Sequence, residues 1–150
     1  MTLSLFLHVL SVVVWVGGMF FAYMALRPVA AAVLEPPQRL TLWAGVFGKF
    51  FPWVWGSVAL ILLTGLHMLM VFGGASAPHY VFTMLALGLA MMAIFAHVFF
   101  APYGRLKRAV AQQDWKAGGA ALGQIRRLIG INLSLGLATI AVVFLGRAFA

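Results

Sequence analysis

Apolar residues form four long blocks along the chain, and the charged positions fall almost wholly between them. Residues 2–26, TLSLFLHVLSVVVWVGGMFFAYMAL, contain no Asp, Glu, Lys or Arg. A helix of about 20 apolar residues crosses the hydrocarbon core of a bilayer, so this block predicts a first span over residues 3–26. It lacks the basic start and short apolar stretch of a cleavable signal peptide. No Asp, Glu, Lys or Arg lies between Lys49 and Arg105. The turn signal GGASAP, Gly73 to Pro78, divides that stretch into spans over 51–72 and 79–101. A fourth span runs over 128–146.

The intervening segments carry their own patterns. Pro36-Pro37 precedes QRLTLWAGVFGKFFPW, whose apolar residues recur at roughly helical spacing. That segment either lies in the membrane interface or extends the second span with a kink at Pro52. In the third loop, Asp114 is placed to cap a helix starting at Trp115 and running through GGAALGQIRR into the fourth span. The expected fold is all-α: one integral membrane domain over 1–150, a four-transmembrane-helix bundle with amphipathic loop segments.

Composition removes the soluble alternatives. The chain of 150 residues is 65% hydrophobic and 8% charged, against about 25% charged in ordinary soluble domains. It has no cysteine, which excludes disulfides, thiolate zinc sites and iron–sulfur clusters. The net charge of +8 reports topology rather than nucleic acid. Arg27, Arg39 and Lys49 lie in the first loop, and Arg105, Lys107, Arg108, Lys116, Arg126 and Arg127 in the third. Only Arg147 lies on the other side. The positive-inside rule then puts both termini outside and both long loops in the cytoplasm of a bacterial inner-membrane, multi-pass protein. The basic loops are also suited to anionic lipid headgroups.

An ionisable side chain within a span is a candidate functional residue. Here these are His8, His67, His79 and His97; the two acids, Glu35 and Asp114, both fall in loops. His8 and His67 lie on neighbouring antiparallel spans, both roughly 7–8 Å below the outer boundary, and are placed to share one ligand. Ser11, Trp15, Gly18 and Ala22 share the His8 side of the first span; Gly56, Leu63 and Met70 fall near the His67 side. His79 and His97 share a face but stand about 27 Å apart, too far for one metal. Asn132 is the polar side chain nearest His97 in depth, which suggests a hydrogen bond between them.

Two chemistries suit this pattern. Bis-His axial ligation of haem iron uses two neutral imidazoles across a bundle, with Trp15 and Gly18 beside the ring. Copper(I) prefers imidazole and thioether donors, which His67, Met68, Met70 and His79 supply at one mouth. Met19, Met24, Met84, Met91 and Met92 would extend a copper path inward. Methionine also fills membrane cores without any metal.

The stretches LHVLSVVVWVGGMFF (Leu7 to Phe21), Arg27-Pro28, TGLHM (Thr64 to Met68) and RRLIGINLSLG (Arg126 to Gly136) resemble the CopD-type copper resistance membrane domain. The resemblance covers nearly the whole chain through short motifs. It implies copper passage across the inner membrane and points to His8, His67, Met68 and Met70. The four-helix plan is also similar to HemJ-type protoporphyrinogen oxidases, which implies haem b on a first-span histidine resembling His8. Those proteins carry a Lys in the third span, where this chain reads VFTMLALGLAMM, and Asn-Glu-Pro where it has Asn132-Leu133-Ser134. These departures argue against protoporphyrinogen oxidation.

The leading expectation is therefore a haem-b-binding CopD-like protein, ligated by His8 and His67. It would transfer one electron at the outer face to or from a quinone or a membrane redox partner. Copper transport or binding is the alternative, and a cofactor-free accessory subunit a further one. No catalytic residue and no oligomeric state is assigned.

Overall fold

A computed structural model describes residues 1–149. Helix α1, Thr2–Phe21, passes through a π-helical turn at Ala22–Leu26 into α2, Arg27–Val33. Then come α3, Pro36–Val71, α4, His79–Phe100, α5, Pro102–Ala111, and α6, Trp115–Ala148. The four stretches Thr2–Val33, Pro36–Val71, His79–Ala111 and Trp115–Ala148 are each long and apolar enough to cross a membrane.

Proline and glycine punctuate the path. At the π turn, the Arg27 N–H bonds the carbonyl of Ala22 instead of Tyr23, and Pro28 has no N–H to offer. The Tyr23 carbonyl accepts from Arg27 Nε instead, at 3.2 Å. Pro36 and Pro37 open α3 at positions whose N–H groups have no intrahelical partner. The hairpin between α3 and α4 turns on Gly73 and Gly74, at φ 99° and 57°, a region that glycine enters without steric cost. Ala101 breaks the helix ahead of Pro102. Asp114 Oδ1 accepts from the Ala117 N–H at 3.1 Å, capping α6 as expected.

The third span falls where the sequence places it. The others are longer than their apolar blocks. The first runs on through Arg27 to Val33, α3 starts at Pro36 and continues through Pro52, and α6 starts at Trp115. A charge ends an apolar count but not a helix, because arginine and lysine lay their stems along the helix and reach the headgroups. The first loop thus shrinks to Leu34 and Glu35, and its apolar spacing belongs to the extended α3. In the third loop, α5 is amphipathic, with Tyr103, Leu106 and Ala109 buried and Arg105, Lys107 and Arg108 exposed.

Helix α1 packs chiefly on α3, and α4 on α6; α5 lies against α6 and touches α3 and α4. On α1, Phe6, Val13 and Phe20 face outward, while Ser11, Trp15 and Met19 face in. The most aromatic part of the core lies toward the end bearing the basic residues, hereafter the basic end. Phe47 stacks on Phe51 at 4.9 Å, and Phe51 meets Phe95 and Tyr103 edge-on at 5.4 and 4.9 Å. Lipid is as apolar as these rings, so their contribution comes from packing and edge-to-face geometry rather than from escape from water. At the opposite end, which holds the start of α1, the end of α6 and the Gly73–Pro78 hairpin, the α1–α3 contact carries polar groups.

Candidate functional site

Two polar rungs tie α1 to α3 near the hairpin end. His8 Nδ1 lies 2.9 Å from Thr64 Oγ1, and Ser4 Oγ lies 3.0 Å from His67 Nδ1. Each histidine faces a hydroxyl on the other helix, so the two imidazoles stand on adjacent rungs. Their offset is about one turn: from Thr64 to His67 the helix rises about 4.5 Å. The two rings thus lie one turn apart in depth, not level. The α3 backbone also makes way for the ring, since a Cβ at Gly65 would stand 3.4 Å from His8 Cε1.

Thr64 is well placed to act as acceptor for His8. The single Thr64 hydroxyl proton goes to the Leu60 carbonyl. Its oxygen can then accept from His8 in the tautomer whose Nδ1 carries the hydrogen and whose Nε2 keeps its lone pair. A ring anchored through a hydrogen bond at one nitrogen is the usual state of a metal-ligating histidine. His67 is likewise engaged through Nδ1, and its side chain is exposed at the bundle surface.

Other candidates are placed differently. Gly56, Leu63 and Met70 lie on an exposed face of α3, with Met70 78% exposed, and do not turn toward α1. Met68 is half-buried, and His79 is exposed at the start of α4. Among the described residues there is no group of three or more His, Cys, Asp or Glu side chains suited to one metal ion. His97 is exposed, and Asn132 does not serve it: Asn132 Nδ2 donates to the Met91 carbonyl at 3.3 Å, and its Oδ1 is buried without a partner.

The residues expected to frame a flat ring are packed on one another. Trp15, 2% exposed, meets Phe95 edge-on at 6.2 Å. The Phe50 ring fills the space over Gly18, and the His8 ring lies against Gly65. A porphyrin between His8 and His67 does not fit this packing.

Ser4, Thr64 and Gly65 were not among the candidates. Their signal is the antiparallel register: once His8 and His67 sit near one end, the residues opposite each are a hydroxyl and a neighbouring glycine.

An apolar four-span bundle in which three of the four histidines, His8, His67 and His79, gather toward one end is a multi-pass membrane protein. Residues 44–145 match the sequence profile of copper resistance protein D, CopD, and the chain belongs to that family. The match takes in His67, Met68, Met70 and His79 and begins after His8. No curated protein and no solved structure matches the chain.

Proposed function

We propose that this CopD-family protein handles copper at the hairpin end of the bundle, with His8 and His67 as its copper(I) donors. The observation that carries this reading is the paired rung. Two imidazoles from packed antiparallel helices are each held through Nδ1, one turn apart, and Nε2 is left for the metal. A metal–imidazole bond is about 2 Å long, so one ion held by both rings draws their Nε2 atoms to within about 4 Å of each other. Two neutral nitrogens suit copper(I), which needs no carboxylate, and the spans contain none. The thioethers of Met68 and Met70 flank His67 as softer donors for an ion entering or leaving. Copper here is cargo, so a site of few ligands, open to the surface, suits passage better than an enclosed one.

The test is an anaerobic copper(I) titration of the detergent-purified chain against a chromophoric chelator, with an absorption spectrum of the same sample. The expected result is one copper(I) per chain, weakened about tenfold or more by His8→Ala or His67→Ala. Unchanged affinity in the double variant would overturn the proposal. So would a Soret band that disappears in the same variants, which would restore the haem reading.

A further inference from the structure

The basic end holds a cleft of about 230 Å³ whose walls include Tyr23, Arg27, Arg39, Trp43, Phe47 and Arg126. Its three arginines come from three helices, α2, α3 and α6. Among the described residues no carboxylate lines it. The chain has only two acids; Asp114 is committed to capping α6, and Glu35 points to solvent. Three guanidinium groups sharing one cleft repel one another, and more so beside a low-dielectric membrane than in water. An anion relieves that repulsion.

The π turn holds one of these cations in place. Arg27 Nε is anchored on the Tyr23 carbonyl, and its guanidinium lies 4.4 Å over the Tyr23 ring. The Nη groups remain for a ligand. A glycine lets the ring sit there, since a Cβ at Gly130 would lie 3.0 Å from Tyr23 Cε2. Single-turn π segments occur often at functional sites, and here Ala22 and Tyr23 of that turn line the cleft.

Depth identifies the ligand. Measured from the hairpin-end terminus of each helix, Arg27 lies about 37 Å along and Arg126 about 33 Å. Arg39, about 48 Å along α3, lines the same cleft. The hydrocarbon core is about 30 Å thick, and about 40–45 Å with headgroups. The cleft therefore lies at the headgroup level with Arg39 at its outer rim, while the buried Trp43 and Phe47 give it an apolar wall on the side of the bundle core. Guanidinium forks match phosphate oxygens two by two. We infer that Arg27, Arg39 and Arg126 form a phosphate-binding site, independent of copper handling, and that it takes the headgroup of an acidic phospholipid.

Native mass spectrometry of the full chain, released from detergent with phosphatidylglycerol or phosphatidylcholine added, tests this. A single phosphatidylglycerol adduct is expected, with little phosphatidylcholine retained. Arg39→Gln and Arg126→Gln should each reduce the adduct about tenfold or more. Arg39→Lys, which keeps the charge and loses the fork, should fall between. Arg108→Gln, at the same end but outside the cleft, should leave the adduct unchanged. Circular dichroism of each variant separates loss of the site from loss of fold. Displacement of the lipid by millimolar inorganic phosphate would keep the site and assign it to a soluble phosphate. Equal retention of both lipids, or equal loss with Arg108→Gln, would overturn the inference.

Discussion

At the residue scale, the candidate copper site depends on a hydroxyl that touches no metal. The Thr64 hydroxyl donates to the Leu60 carbonyl, and its oxygen lies within hydrogen-bond distance of His8 Nδ1, placed to accept from it. A hydrogen bond from Nδ1 to Thr64 orients the ring and favours the tautomer with Nε2 unprotonated. Thr64→Val preserves the shape and removes the acceptor. The ring then loses its anchor and the other tautomer becomes competitive. Copper(I) affinity should fall about 10- to 100-fold, the usual cost of losing a metal ligand's own hydrogen-bond partner. Thr64→Ser should retain most of the affinity. Stability should change little, since hydrogen bonds between membrane helices average about 0.6 kcal/mol. Chelator competition and thermal unfolding on the same three proteins check both halves. If Thr64→Val binds copper like the parent, His8 is not oriented by this rung.

At the element scale, the ends of the helices are set by local chemistry that mutation can isolate. Asp114 supplies the side-chain cap of α6, the helix that α4 and α5 both pack on. Asp114→Ala should destabilise the chain by about 1 kcal/mol, and Asp114→Asn by much less, because the amide oxygen still accepts from the Ala117 N–H. Gly73 at φ 99° should tolerate Ala poorly, with a cost of about 1–2 kcal/mol. Denaturant midpoints in a fixed detergent measure all three. The same features explain what could be read from the chain alone. The α6 cap, the hairpin and the third span follow from short-range rules: a side chain that bonds its own backbone, glycines that turn, and an apolar run with sharp ends. The true lengths of α1–α2, α3 and α6 were hidden because charges mark where the hydrocarbon ends, not where the helix does. The histidine pair was visible as two residues near one end. Its one-turn offset and its hydroxyl partners were not, since register between helices appears only once they are packed. Gly56, Leu63 and Met70 do share the His67 side of α3, but that side is exposed: an ideal wheel drawn around His67 does not say which flank meets α1.

At the scale of the whole molecule, the bundle has two unlike ends. Nine of the ten Lys and Arg residues lie toward the basic end, and only Arg147 toward the other, which also carries His8, His67 and His79. A basic end retained in the cytoplasm would put the histidine pair on the outer side, where copper would meet the chain before crossing. This orientation can be tested without removing any native group, because the chain has no cysteine. Ser76→Cys marks the hairpin between α3 and α4, and Gln112→Cys marks the turn between α5 and α6; both side chains are exposed. In intact cells, a membrane-impermeant maleimide should label Ser76→Cys, and should label Gln112→Cys only after lysis. The opposite pattern would turn the histidine pair toward the cytoplasm. Copper would then meet it from inside, and the copper-handling end would be the cytoplasmic one.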